Sequence, residues 1–191
     1  MMHTNSTTAI FLDLNGTLVD DSSGSVMVPV TIKSFYPGVM YSLQRLQMGS
    51  QLFIVTNQSG VGLGVVSKDD ADKLNMGVMD VLEKYGVKIT ELFACRHARR
   101  DSCQCIKPNP YFLFKAQEKY GIDLSCSFVI GDHPHDMELA HNAGCKGLYV
   151  LTGHGKRHRN ELKTPCTMFT DLQDATEYIC KYQSEKTDNE G

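Results

Sequence analysis

Ala9-Ile10-Phe11-Leu12-Asp13-Leu14-Asn15-Gly16-Thr17 runs four apolar residues into an acidic side chain, a glycine and a hydroxyl. A short apolar run bounded by turn residues reads as a buried strand, and open α/β sheets bind ligands beyond the carboxyl ends of their strands. The stretch therefore presents Asp13 where such a fold does its chemistry. A carboxylate there can attack a phosphoryl group, Gly16 lets backbone approach a ligand closely, and Thr17 can hydrogen-bond phosphate oxygens.

Outward from this stretch, apolar runs at 9–14, 52–55, 92–94, 128–130 and 147–151 alternate with helical patterns at 39–48, 67–85, 111–120, 136–142 and 171–181. That alternation predicts an α/β fold with a doubly wound, Rossmann-like parallel sheet and helices on both faces. Gly121 and Gly144 are placed to cap helix C-termini. Between the first strand and the first helix, alternating Val26, Val28, Val30 and Ile32 suggest a short β-flap. No segment is long enough for a large cap, so an open site and a small or terminal substrate are expected. Residues 1–182 read as a single domain and 183–191, without an apolar anchor, as a disordered tail.

The 191 residues carry a net charge of -3, with 41% hydrophobic and 21% charged side chains. This composition suits a globular domain and gives no global attraction to nucleic acid or to an acidic membrane. No signal peptide or membrane-spanning run is evident, so a cytoplasmic location and no membrane partner are expected, with a monomer favoured. Seven cysteines make an odd set, and three crowd into residues 95–105. That suits a metal site in a reducing compartment better than a disulfide framework. Cys126, Cys145, Cys166 and Cys180 read as small apolar residues.

Further signals recur at strand ends. Thr56-Asn57-Gln58-Ser59-Gly60 can cradle a phosphate, although it is also ordinary turn chemistry. Lys107, in a loop before a helix, can neutralise a phosphate and a nearby carboxylate, or be merely solvated. Asp132 and Asp136, four residues apart after a strand, suit a hard cation together with Asp13, although Asp136 could simply cap a helix. Cys95, His97, Cys103 and Cys105 offer a closed tetrahedral zinc shell of structural type, which would stiffen the loop carrying Lys107.

Together these motifs resemble the small, capless phosphatases of the haloacid dehalogenase (HAD) superfamily, which include heptose 1,7-bisphosphate phosphatase and the histidinol-phosphate phosphatase domain. The likeness spans roughly residues 9–155, from Phe11-Leu12-Asp13 through Val55-Thr56-Asn57-Gln58-Ser59-Gly60, the Cys-x-His and Cys-x-Cys pairs, Lys107-Pro108 and Gly131-Asp132 to Thr152-Gly153-His154-Gly155. The resemblance implies a magnesium-dependent phosphomonoester hydrolase acting on a small phosphorylated substrate. Asp13 would be the nucleophile, Thr56 and Asn57 phosphate ligands, and Lys107 the stabilising cation. Asp132 would be a magnesium ligand, Asp136 would support the metal, and Cys95, His97, Cys103 and Cys105 would hold zinc. Gln58 and Thr17 join the candidate substrate contacts.

The chain departs from this family at two positions. Ile106 stands where relatives usually carry an arginine before the lysine, removing a fork for a second phosphate or sugar hydroxyl. Asn15 stands where the family's D-x-D-G-T motif has its second aspartate, the general acid/base. An amide cannot move that proton, a loss of about 10²–10⁴-fold, whereas the backbone carbonyl that the family uses on the metal is retained. Three explanations stay open: a natural slow phosphatase or phosphate-binding module, a substitute base such as His133 or His135, or a deliberate inactivating Asp→Asn change. His133 and His135 also read as ordinary loop histidines. Likewise Lys156-Arg157-His158-Arg159 is either a second-phosphate contact or a solvated helix start.

Overall fold

The computed structural model describes residues 7–21 and 29–189. Its strands are β1 (Ala9–Leu12), β2 (Gln51–Asn57), β3 (Ile89–Cys95), β4 (Phe128–Gly131), β5 (Lys146–Val150) and β6 (Thr167–Phe169). They form one parallel sheet in the order β3-β2-β1-β4-β5-β6. The chain winds from β1 toward β3 on one side and then crosses to β4 on the other. The strand order thus reverses between β1 and β4, which is where such sheets open a ligand crevice.

All four residues of β1 are buried, and their alternation serves two cores. Ile10 and Leu12 join Leu43, Leu46, Ile54, Val78, Leu82, Ala175 and Ile179 on one face. Ala9 and Phe11 join Phe53, Phe93, Leu113, Ala116 and Leu139 on the other. The first face is covered by α1 (Val39–Leu46), α3 (Lys68–Lys84) and α7 (Leu172–Asn189), the second by α4 (Tyr111–Tyr120) and α5 (Pro134–Ala143). Two short helices, α2 (Ser59–Gly62) and α6 (Gly155–His158), lie in the loops after β2 and β5.

Local chemistry sets the helix ends. Ser67 caps α3 by accepting from the Asp70 amide, with Asp69 and Asp70 in the first turn, where acidic groups favour the helix dipole. In α5, Pro134 occupies the first turn, and Gly121 and Gly144 end α4 and α5 in the left-handed conformation.

Several expectations are corrected. The first strand stops at Leu12, because the chain turns beyond it, with Leu18 N donating to Leu14 O and Gly16 N to Val19 O. β6 had no sequence signal: it is three residues long, and Met168 is exposed. Of the expected flap, Val26 and Val28 lie outside the described residues, and Ile32–Ser34 is a 3-10 turn. A bridge between Val19 and Phe35 closes the base of this segment. The helical backbone of α7 runs on to Asn189 where a disordered tail was expected. Gln183 donates to Ser50 Oγ at 2.8 Å, and Lys181 pairs with Glu185 one turn on, so polar contacts carry the helix past its last apolar anchor. Among the described residues, no helix is long and apolar enough to cross a membrane.

Candidate active site

Asp13 and Asp132 leave adjacent strands at the reversal point, and the Asp13 amide donates to Ile130 O of β4 at 2.9 Å. The loop after β3 delivers Lys107 to the same spot. Its backbone amide donates to Asn57 Oδ1 at 3.1 Å, and its Nζ donates to Asp13 Oδ1 at 2.5 Å, Asp136 Oδ1 at 2.7 Å and Val55 O at 3.0 Å. Lys107, Asp13, Asp132 and Asp136 are all buried. Thr17 Oγ1 donates weakly to Asp13 Oδ2 at 3.4 Å, and Asp132 Oδ2 accepts from the His154 amide at 2.7 Å.

Glycine makes this crowding possible. A Cβ on Gly16, whose φ is +82°, would lie 2.1 Å from Asp132 Oδ2, and one on Gly131 would lie 2.3 Å from Asp136 Cγ. Both positions therefore admit carboxylates that any larger residue would displace.

Charge balance explains the site's electrostatics. Burial pushes the Asp13 carboxyl up to about 6, opposed by Lys107 and reinforced by Asp136. Burial, with Asp13 and Asp136, pushes Asp132 up to about 8. Burial alone would lower the Lys107 ammonium, but Asp13 and Asp136 hold it above its ordinary value. Three buried carboxylates face one ammonium, and the ligand oxygens of Asp13, Asp132 and Asp136 lie within 4.8 Å of one another. An oxygen-ligated divalent cation fits this donor set and would relieve its excess negative charge.

A cavity of about 220 Å³ opens over these groups, lined by Asp13, Asn15, Thr56, Asn57, Lys107, Asp132 and Asp136. The structure thus gathers the sequence-predicted residues with two qualifications. Thr17 is buried against Asp13 rather than lining the cavity, and Gln58 is drawn away. The Gln58 amide exchanges hydrogen bonds with Asn75 of α3 at 2.7 and 3.3 Å, so its expected place among the substrate contacts is not supported. Asn57 also serves the fold, through the Lys107 amide.

His133 and His135 line the cavity but are committed to each other. His133 Nδ1 accepts from the His135 amide at 3.3 Å, the rings stack at 4.6 Å, and Arg99 Nη2 lies 3.1 Å from His135 Nε2. Burial and the neighbouring His135 push His133 down to about 4. Of the basic run, His158 packs on His133 and pairs with Glu161, while Lys156, Arg157 and Arg159 are exposed. Ser59 of the Thr56–Gly60 stretch also lines the cavity, as do Asp21, Arg99 and His154, which carry no role in the sequence reading. Of these three, His154 alone has a sequence signal, its place in the Thr-Gly-His-Gly run.

The thiols and imidazole gather as expected. Cys95, Cys103 and Cys105 have Sγ atoms 3.3–3.7 Å apart, and His97 Nδ1 lies 3.7 Å from Cys95 Sγ and 3.3 Å from Cys105 Sγ. Tetrahedral zinc at about 2.3 Å from sulfur separates its ligands by about 3.8 Å, so the four side chains can hold zinc with little adjustment.

A parallel sheet of this order, with a carboxylate just beyond β1, a buried lysine and two carboxylates after β4, is the layout of a Rossmann-like enzyme of phosphoryl chemistry. The HAD-hydrolase-like family model matches residues 104–175. The D-glycero-beta-D-manno-heptose-1,7-bisphosphate 7-phosphatase of Helicobacter pylori strain J99 is 32% identical over 159 residues, covering 82% of this chain and 87% of that protein. The bifunctional histidine biosynthesis protein HisB of Campylobacter jejuni strain 81116 is 30% identical over 155 residues, but the match covers only 44% of its length. The crystal structure of D,D-heptose 1,7-bisphosphate phosphatase from B. bronchiseptica, complexed with magnesium and phosphate, superposes with a TM-score of 0.83 at 27% identity, covering 92% of this chain and 99% of that one. The chain belongs to the HAD-type phosphatases.

Proposed function

We propose that this phosphatase hydrolyses a small sugar phosphate through an aspartyl-phosphate on Asp13, at a rate lowered by Asn15. The observation that carries the reading is Asp13 at the sheet's reversal point, 2.5 Å from the Lys107 ammonium.

Asp13 attacks phosphorus in line with the ester oxygen. Lys107 neutralises charge on the phosphoryl oxygens and keeps Asp13 ionised despite its burial. Thr56 and the backbone around it hold the transferring group. Water then attacks phosphorus, and Asp13 leaves as a carboxylate. Magnesium, held by Asp13, Asp132 and the Asn15 carbonyl with Asp136 in support, would supply further positive charge where the phosphoryl oxygens sit. Zinc on Cys95, His97, Cys103 and Cys105 would hold the loop that delivers Lys107.

Arg99, His135 and His154 line the same cavity as Asp13 and Lys107, where they can meet the part of the substrate beyond the phosphoryl group. An arginine there suits a second phosphate or hydroxyl groups better than the cationic remainder of histidinol phosphate, and it partly offsets the loss of a fork at Ile106. Sugar bisphosphates of the kind named for the Helicobacter and B. bronchiseptica proteins are therefore the first substrates to try.

Asn15 supports a second reading, a phosphate-ligand binding module that retains the site without turnover. Phosphate release screened over sugar bisphosphates, sugar monophosphates, histidinol phosphate and nucleotides, for the wild type and Asn15→Asp, separates the two. Release by either protein supports the enzyme, and binding without release by both supports the module.

A further inference from the structure

We propose that Asp21 stands in for the carboxylate missing at position 15, as the acid that protonates the leaving oxygen and the base that takes a proton from water. The inference rests on the phosphatase reading above.

The loop after β1 turns back on itself, and a bridge between Asn15 and Val19 brings the following residues over the site. Asp20 N donates to Ser34 O at 2.9 Å, which ties this returning strand of chain to the base of the flap segment. Asp21, six residues beyond Asn15, thereby lines the same cavity as Asp13, Asn15, Lys107 and Asp132.

Its side chain is 14% exposed, and Oδ1 is buried with no hydrogen-bond partner among the described residues. A buried carboxylate oxygen without a donor is costly, and a substrate oxygen bearing a proton, or a water, would satisfy it. Asn15 Oδ1 is likewise buried with no hydrogen-bond partner among the described residues, so two residues lining the cavity carry unpaired acceptors. The other Asp21 oxygen, Oδ2, lies 3.6 Å from His154 Nε2. The backbone amide of the same histidine donates to Asp132, so one residue orients Asp21 and Asp132 together.

The surroundings suit an acid. Burial raises the Asp21 carboxyl above its ordinary value, His154 opposes this, and Asp13 and Asp20 add to it. Tyr36, whose hydroxyl donates to Asp20 at 3.3 Å, is a further titratable group beside it among the described residues. His133 and His135, the other candidates in the cavity, are engaged by each other and by Arg99.

The proton balance closes. As Asp13 bonds to phosphorus, the ester P–O bond breaks, its electron pair stays on the leaving oxygen, and that oxygen takes the Asp21 proton. In the second step Asp21 takes a proton from water as the water oxygen bonds to phosphorus and the bond to Asp13 breaks. Asp21 is then protonated again and Asp13 is free.

The test compares wild type, Asp21→Asn, Asn15→Asp and the double variant on a sugar phosphate and on p-nitrophenyl phosphate, whose leaving group needs no proton. Asp21→Asn should lower kcat/KM for the sugar phosphate by about 10²-fold and for the aryl ester by less than about tenfold. Inhibition by inorganic phosphate should be unchanged, and adding Asn15→Asp should restore turnover to at least the wild-type level. No loss, equal losses on the two esters, or loss that Asn15→Asp does not rescue would overturn the proposal. If wild type is inert while Asn15→Asp turns over, the phosphatase reading stands and the role of Asp21 is refuted. If none of the four proteins releases phosphate, the phosphatase reading itself falls.

Discussion

Lys107 Nζ sits 2.5 Å from Asp13 Oδ1, although 94 residues separate the two in sequence. The second oxygen in its grip belongs to Asp136, at 2.7 Å, so one ammonium holds two buried carboxylates. Removing it as Lys107→Met leaves both uncompensated. Breaking such a buried pair costs about 3–5 kcal/mol, so thermal denaturation should show a large loss of stability. Phosphate release should fall by about 10²–10³-fold. Lys107→Arg should fail to restore it, because the longer planar fork cannot occupy the space between Asp13, Asp136 and Val55 O.

The carboxylate cluster makes stability depend on pH and on divalent cations. In the unfolded chain Asp132 ionises in the ordinary carboxylate range near 4, whereas in the fold without metal its burial beside Asp13 and Asp136 pushes it up to about 8. Between those values the folded state holds the extra proton. The stabilisation from this group is therefore complete below about 4 and is lost as pH rises toward 8. Melting of chelated protein should decline across that window more steeply for wild type than for Asp132→Asn. Millimolar magnesium should flatten the wild-type decline, because a cation favours the ionised cluster. Identical slopes in wild type and Asp132→Asn would remove Asp132 as the cause.

The Cys95, His97, Cys103 and Cys105 shell predicts one zinc per chain in protein purified without chelator. Cys105→Ser should release it and increase hydrogen exchange over residues 95–108, since binding energy at such a site is local folding energy. Activity should fall with it through misplacement of Lys107. Unchanged exchange in a zinc-free variant would count against a structural role.

How far the sequence reveals this molecule depends on whether a residue's position follows from its own strand. Asp13, Thr56 and Asp132 end apolar runs, so their convergence at the sheet's carboxyl edge was legible. The Cys/His cluster was equally plain because its four ligands are local. Asp21, Arg99 and His154 reach the cavity only through folded-back loops, and no periodicity marks such a return. Gln58 sits in a motif that suggests phosphate binding, yet its amide meets Asn75 of α3, a tertiary contact invisible in the pentapeptide. β6 escaped notice for a related reason. Its exposed residues pair at the sheet edge by backbone hydrogen bonds, which leave little trace in hydrophobic pattern.

Phosphate release from a sugar bisphosphate, measured with and without magnesium for wild type, Asp13→Asn and Asn15→Asp, tests the proposed chemistry most directly. Wild type should release phosphate slowly and only with magnesium, Asp13→Asn should release none, and Asn15→Asp should be about 10–10²-fold faster in kcat. Because Asn15 precedes Gly16, a pair prone to deamidation, peptide mass spectrometry should confirm the asparagine in the wild-type sample. Turnover that survives Asp13→Asn, or phosphate binding without release by both wild type and Asn15→Asp, would contradict hydrolysis through Asp13.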